Sequence, residues 1–211
     1  MADPKVISAH IDIANLGLEA CGHAEISDWD DDRFVKVGAL VRNSYNNILK
    51  TVMEKIPWDF ATQMHNLTPI TLPPGTFDYS SAYQIPGDVL KPYSVQGQAA
   101  EPGSEWIRRG TKIFSNISDA DGSINCELIH YIDNVSVYPA TFIDAVAARC
   151  AAKWAGPIIR VSSEANRLKQ ESIDTMREAA SSDGSVGSVR VQQIRASSVR
   201  VRSGGSRYNF D

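Results

Sequence analysis

The chain has 211 residues, of which 43% are hydrophobic, 22% are charged and 8% are aromatic. This is the composition of an ordinary globular protein, and the length corresponds to one domain or two small ones. No apolar run approaches the ~20 residues that cross a bilayer, and the first residues lack the pattern of a signal peptide. The three cysteines lie far apart and form no Cys-x-x-Cys pair, which argues against a disulfide scaffold and a zinc site. We therefore expect a protein that is made and stays reduced in the cytoplasm, without metal, cofactor or membrane.

Charge is distributed unevenly along the chain, whose net charge is −4. Residues 19–32 include six acidic side chains and no lysine or arginine, whereas residues 183–211 include five arginines. A chain that is acidic near one end and basic at the other can join head to tail with its own copies or with partners. A solvated turn followed by an unstructured tail is the alternative interpretation.

Two helices are predicted before residue 58. Asp3-Pro4 is typical of a helix start, and apolar residues at helical spacing continue the first helix to Leu18. The second helix is expected to begin between Asp28 and Asp30, because acidic residues in the first turn complement the helix dipole. Its apolar residues recur every three to four positions until Pro57 ends it, which predicts a helix ~40 Å long.

The region from residue 58 to 138 has the texture of a β domain, with prolines and turns between short β-prone runs. A tight turn is predicted at Arg109-Gly110, and a second turn at residues 119–122. The Asp-x-Asp-Gly pattern of that second turn resembles part of a calcium loop, but the glycine comes too early for an EF-hand, which favours a hairpin turn. The predicted strands are 68–72, 82–85, 90–96, 105–108, 112–115 and 124–132.

Helices are predicted again after Pro139. The run 142–155 is rich in alanine, so neighbouring backbones can approach it closely, and Gly156-Pro157 is expected to end it. A further amphipathic helix follows over residues 161–179, and the short connection implies an antiparallel helical hairpin. The predicted fold class is α+β. An antiparallel helical bundle (1–57 and 139–182) carries an inserted antiparallel β domain (58–138) and an extended C-terminal arm (183–211).

The C-terminal arm has a pattern of its own. Residues 181–185 have the composition of a linker, and Ser-Val-Arg-Val then occurs at both 188–191 and 198–201. Apolar residues alternate in this stretch, which indicates a strand that pairs with the sheet edge of another chain. An unstructured terminus is the alternative.

The sequence contains no nucleotide-binding, zinc-protease or serine-hydrolase motif, so we expect no catalytic site. The four histidines are far apart in the sequence, and Asp30-Asp31-Asp32 is interpreted as a helix cap and not as a cation site. Arg108, Arg109 and Lys112 stand beside Trp106 and Phe114 in the predicted hairpin. This basic and aromatic hairpin would contact a protein or solvent, with phosphate contact as the less favoured alternative.

Three segments resemble the tail tubular protein A family of short-tailed bacteriophages. They are Pro-Trp-Asp-Phe-Ala-Thr at 57–62 after the long helix, Tyr-Gln-Ile-Pro-Gly-Asp-Val-Leu-Lys at 83–91, and Tyr-Pro-Ala-Thr-Phe-Ile-Asp-Ala at 138–145. The resemblance covers roughly residues 5–182 and rests on the order of these segments and the helix–β–helix layout.

The resemblance implies a structural protein of the virion, made in the host cytoplasm and placed in the tail. Members of the family form a twelve-fold adaptor ring between the portal protein and the tail nozzle protein, near the tail fibres. Genomic DNA would pass through the lumen without specific binding, because acidic side chains there repel phosphates.

Two groups of contact residues follow as hypotheses. The portal would be bound by the C-terminal arm, through Arg190, Arg195, Arg200, Arg202, Tyr208 and Phe210. The tips of the β domain, with Arg108, Arg109, Gly110 and Asp121, would face the nozzle or a fibre.

Two other functions remain open from the sequence. One is a tail-associated glycan hydrolase, because paired carboxylates are defined by their separation in space and not in sequence. The other is a small nucleic-acid-binding adaptor that uses the basic C-terminal arm.

Overall fold

The computed structural model describes residues 7, 9–30, 32–72, 78–99, 104–159 and 161–187. Within these residues the protein has mixed α+β structure, as the sequence predicts, with four α-helices and two antiparallel sheets. The helices are α1 (His10–Ala20), α2 (Val35–Lys55), α3 (Ala140–Ile159) and α4 (Ser162–Gly187). Short 3₁₀ helices occupy Asp32–Phe34 and Val135–Val137.

The strands lie between the second and third helices and form two four-stranded sheets. The first sheet has the order β1-β8-β4-β5 and the second has the order β2-β3-β7-β6. The strands are β1 (Thr62–Leu67), β2 (Pro69–Ile70), β3 (Ser81–Gln84), β4 (Val89–Val95), β5 (Gln98–Ala99), β6 (Trp106–Arg109), β7 (Lys112–Ser115) and β8 (Ile124–His130).

Helix α3 is the helix that the other three contact. Its alanine-rich surface allows the close approach expected from the sequence, since Gly17 of α1 lies directly against Ala147 and Cys150. The indole N–H of Trp154 donates to the hydroxyl of Ser44 in α2 at 2.8 Å. Helix α4 follows α3 after a connection of two residues and packs back along it.

The buried side chains form two clusters, one among the helices and one among the strands. The strand cluster draws on both sheets, with Tyr83 and Ile113 from the second sheet packed with Leu128 of the first. Ile129, next to Leu128 on β8, belongs to the helical cluster instead. Alternate residues of β8 thus face different cores, because side chains alternate across a strand. Division of the chain into separate helical and β domains stays a prediction.

Both N-terminal helices begin later than predicted. Ile7 and Ala9 are not helical, and α1 begins at His10, where the Asp12 carboxylate accepts the N–H of Ala9 at 2.9 Å. Asp3-Pro4 lies outside the described residues. Helix α2 begins at Val35, after the 3₁₀ helix Asp32–Phe34. At the predicted start, Asp28 accepts the N–H of Asp30 at 2.9 Å, a local turn that competes with helix formation.

The last two helices extend beyond their predicted ends. Helix α3 continues through Gly156-Pro157 to Ile159. A glycine before proline has no Cβ to meet the proline ring, so the backbone there can stay helical. Helix α4 continues through the predicted linker 181–185 to Gly187, and the Asp183 carboxylate accepts the N–H of Asp59 at 3.2 Å. The extended arm therefore cannot begin at residue 183.

The strand predictions hold for β3, β4, β6, β7 and β8 within one or two residues. The sequence missed β1 and β5, and the predicted strand 68–72 is reduced to β2. The turn at 119–122 is present, with the Gly122 N–H donating to the Asp119 carbonyl at 2.9 Å. It does not close a hairpin, because β7 and β8, which flank it, lie in different sheets.

Candidate functional site

The hairpin of β6 and β7 is confirmed, with Arg109 opposite Lys112 and Gly110 at a φ of 60°. That left-handed backbone is the reason for a glycine in this two-residue turn. Arg108 supports the turn from one side, since its Nε donates to the Gly110 carbonyl at 3.0 Å. Its guanidinium also donates to the carbonyl of Leu90 on β4. Arg108 therefore ties the hairpin of the second sheet to the first sheet.

Arg109 points to different partners. Its guanidinium lies over the rings of Tyr79 and Phe114, at 5.9 and 6.0 Å from their centroids. Ile107, which precedes this arginine pair on β6, has 37% of its surface exposed. Ile107 and Arg109 form the outward surface of the hairpin, which we call the hairpin face. It combines an apolar side chain with a cation that is held in place by aromatic rings.

Asp121 stabilises the turn to which it belongs. Its carboxylate accepts the backbone N–H of Ser123 at 3.0 Å and the Ser123 hydroxyl at 2.7 Å. These hydrogen bonds lower the pKa of Asp121 below its usual range. In the same turn the Asp119 carboxylate accepts the side-chain N–H of Asn125 at 2.8 Å. The acidic groups of this loop thus pair with neutral donors of the loop and of β8, which follows it.

The hairpin and the Asp121 turn lie at opposite ends of β4. Arg108 reaches Leu90 at the start of that strand, whereas Asn125, which binds the turn, accepts the N–H of Gln96 just past its end. Five strand residues separate these points by roughly 16 Å. The structure therefore brings Arg108, Arg109 and Gly110 together, and it places Asp121 elsewhere.

The residues predicted to bind the portal lie outside the described residues. They are Arg190, Arg195, Arg200, Arg202, Tyr208 and Phe210.

Two of the three segments that carry the family resemblance meet in an aromatic cluster. The ring of Phe142 lies 5.0 Å from that of Trp58, 4.9 Å from that of Phe60 and 4.7 Å from that of Tyr138. Trp58 and Phe142 are fully buried, and the Trp58 indole donates to the Val52 carbonyl at 3.1 Å. The cluster therefore fixes the end of α2 and the start of α3 against each other.

The third segment reaches the same place through Asp88. The Asp88 carbonyl accepts the N–H of Tyr131 at 2.9 Å, and its carboxylate lies 2.8 Å from Nδ1 of His130. The His130 N–H in turn donates to the carbonyl of Ala61 at 2.8 Å, in the first segment. All three segments thus converge where the helices meet the first sheet. We call this place the junction, formed by Trp58, Phe60, Asp88, His130, Tyr138 and Phe142.

Sequence reasoning missed one group of side chains at the junction. Nε2 of His65 lies 2.8 Å from Nε2 of His130, whose other nitrogen contacts Asp88. We call Asp88, His130 and His65 the histidine relay. Its members are 42 and 65 residues apart in the chain, and no local motif marks them.

Asp88 and His130 of the relay differ in their exposure to solvent. The His130 side chain is 3% exposed and that of Asp88 is 63% exposed. The hydrogen bond from His130 lowers the pKa of Asp88 below its usual range. Burial raises the pKa of Cys126, which stands opposite His65 in the β1–β8 pair, to about 12. The carboxylate of the relay is therefore ionised at neutral pH, and the neighbouring thiol is not.

Among the described residues, no three or more His, Cys, Asp and Glu side chains are grouped so that they would hold a metal ion. Within the same part of the chain, no helix is both long enough and apolar enough to cross a membrane. No protein-family model matches this chain, and no curated protein sequence matches it.

Proposed function

We propose that this protein is a virion structural protein, the adaptor ring of a phage tail that connects the portal to the nozzle and lets DNA pass during ejection. The observation that carries the proposal is the convergence of the three resemblance segments at the junction. Three short matches that are remote in sequence but pack together in one unit support a family resemblance more strongly than three short matches at unrelated places. In such a ring, the helices would form a bundle that makes the wall.

The hairpin face supports a role in protein contact. Arg109 lies against two aromatic rings, and the neighbouring Arg108 is held by two carbonyl groups, so the hairpin face loses little side-chain entropy when a partner binds. Arginine and apolar side chains together are typical of the energetic centres of protein interfaces. The nozzle or a fibre would dock here, and the Asp121 turn would belong to a separate contact.

The C-terminal residues beyond Gly187 supply the proposed portal contact. Their alternating apolar residues suit strand addition to a partner sheet, and their arginines suit pairing with acidic groups. The proposed partners are therefore other copies of the chain, the portal protein above and the nozzle protein below.

The proposal is tested by light scattering and electron microscopy of the purified chain, mixed with the portal protein of the same virus. We expect a complex with one chain per portal subunit, twelve in all for a dodecameric portal. A chain truncated after Gly187 should lose portal attachment and keep its fold. Failure of the complete chain to join the portal, with or without nozzle protein, would contradict the proposal.

The hairpin face is tested by the double substitution Ile107→Asp and Arg109→Ala in the complete chain. We expect portal-bound rings to form normally but to bind the nozzle protein at least ~30-fold more weakly, since each truncated anchor costs ~1 kcal/mol or more. Lys169→Ala on the exposed surface of α4 is the matched control. Equal nozzle binding by the double variant and the control would place the nozzle contact elsewhere.

A further inference from the structure

The two imidazoles of the histidine relay meet tip to tip. Their Nε2 atoms are 2.8 Å apart and their ring centroids are 4.9 Å apart, so the rings do not lie over one another. Two imidazole ligands of a tetrahedral zinc ion would hold these nitrogens roughly 3.3 Å apart, given metal–nitrogen bonds of ~2.0–2.1 Å. The distance between the two Nε2 atoms therefore fits a hydrogen bond with one shared proton and is shorter than the distance between two ligands of one zinc ion.

The identity of each proton follows from Asp88. An ionised carboxylate accepts hydrogen bonds and donates none, so Nδ1 of His130 carries the proton that faces Asp88. Nε2 of neutral His130 is then an acceptor, and Nε2 of His65 must be the donor. One further proton can enter on Nδ1 of His65 without breaking this chain of bonds. A second added proton would reach Nε2 of His130, and two N–H donors would then face each other.

The relay connects three pieces of backbone. His65 belongs to β1, the edge strand of the first sheet, His130 ends β8, and Asp88 lies in the turn that precedes β4. Strand β1 also follows directly from Trp58 and Phe60 of the junction. A break between His65 and His130 would thus loosen β1 where the sheet joins the helices.

Other charged and titratable groups around the relay leave this sequence of events unchanged. Arg108 approaches from β6 and binds the Leu90 carbonyl, and Lys50 of α2 lies 5.0 Å from the centre of the Tyr131 ring. Both cations thus contact groups outside the relay. The Cys126 thiol stays neutral, and Asp88 stays ionised because its pKa is lowered.

We propose that the histidine relay is a proton-responsive clasp. It holds β1 to β8 and to the turn before β4 while it carries at most one added proton, and it releases β1 when both imidazoles are protonated. The clasp rests on the contacts of these three residues alone and stands whether or not the protein is a tail adaptor.

The clasp is tested by hydrogen exchange of the complete chain, with rates corrected for the intrinsic effect of pH. Between about pH 7.5 and about pH 5, where imidazoles gain protons, the amides of β1 should lose ~tenfold or more of their protection. The change should be confined to β1 and its contacts, and it should reverse when the pH is restored. A β1 that stays equally protected over this range would overturn the proposal.

His65→Gln isolates the role of the shared proton. Glutamine keeps an N–H donor for His130 but takes up no proton, and its amide can turn to accept when His130 becomes charged. We expect this variant to lose most of the pH dependence of β1 protection. His23→Gln is the matched control, since the His23 side chain has its one described hydrogen bond with the carbonyl of Ala24, and its substitution should leave that dependence intact.

A measurement on the unsubstituted chain tests the clasp even if His65→Gln fails to fold. Two-dimensional ¹⁵N spectra distinguish the tautomers of each imidazole. At about pH 7.5 we expect a proton on Nδ1 of His130 and on Nε2 of His65. The opposite tautomers, or two charged imidazoles while β1 remains protected, would refute the clasp.

Discussion

Replacing Gly17 of α1 with alanine should destabilise the protein, although alanine is normally the better helix residue. The added Cβ would stand 2.7 Å from Cβ of Cys150 and 3.1 Å from both the carbonyl oxygen of Ala147 and a ring carbon of Trp154. Non-bonded carbons rest ~3.5–4.0 Å apart, so α1 and α3 would have to separate by roughly 1 Å. The neighbours that would have to move are backbone and fully buried side chains, which cannot give way cheaply.

The expected magnitude follows from two opposing effects. Overpacking a filled core costs ~1–3 kcal/mol, whereas removing a glycine from a helix interior gains ~0.5–1 kcal/mol. We therefore expect Gly17→Ala to lower the free energy of unfolding by roughly 1 kcal/mol, within a range of about 0–2.5 kcal/mol, measured by urea denaturation followed by circular dichroism. Gly38→Ala in α2 is the matched control, because its Cβ would meet no atom closer than 3.4 Å and should leave stability equal or slightly raised. A Gly17→Ala variant as stable as the control would refute the close packing of α1 on α3.

Two further predictions address the junction and the thiols. Phe142→Ala should lower the free energy of unfolding by ~3–5 kcal/mol, because the ring is fully buried among three aromatic neighbours. The control Val161→Ala, at a 53% exposed position, should change it by less than ~0.5 kcal/mol. Thermal and urea unfolding measure both variants, and a small loss for Phe142→Ala would mean that the cluster does not hold the helices to the sheet. Burial raises the pKa of Cys21, Cys126 and Cys150, to about 12 for Cys126, so a thiol-reactive disulfide reagent at about pH 8 should label none of them until the chain is denatured. Rapid labelling of any of these cysteines in the folded protein would show that its surroundings open.

Prediction from sequence succeeded where the signal is local. The apolar periodicity of α2 and its end at Pro57 depend on neighbouring residues alone, and Ile56 has the extended backbone expected before proline. The hairpin at Gly110 is equally local, since a two-residue turn and the pairing of its strands are set within ten residues. No local signal marks β1, whose residues are mostly polar and of which half are exposed. It is a strand because β8 pairs with it along all six residues.

The candidate site residues also divide into features that the local sequence marks and features that it does not. The sequence identified Arg108, Arg109 and Gly110 as one group, because they are adjacent in the chain. It did not distinguish their roles, since the Leu90 carbonyl that holds Arg108 and the Tyr79 ring that holds Arg109 come from other elements. Asp121 was assigned to the same surface on its position in a turn, and the path of β4 separates the two places.

The sequence by itself determined the mixed fold class, the placing of the β region between two pairs of helices, the long second helix and the tight hairpin, because periodicity, proline and turn residues act over a few positions. Only the tertiary structure decided that Pro57–Thr62, Asp88 and Phe142 share one junction, that β7 and β8 belong to different sheets, and that Nε2 of His65 lies 2.8 Å from Nε2 of His130. Such contacts depend on which strands lie side by side, and strand pairing joins residues whose separation along the chain leaves no trace in local sequence.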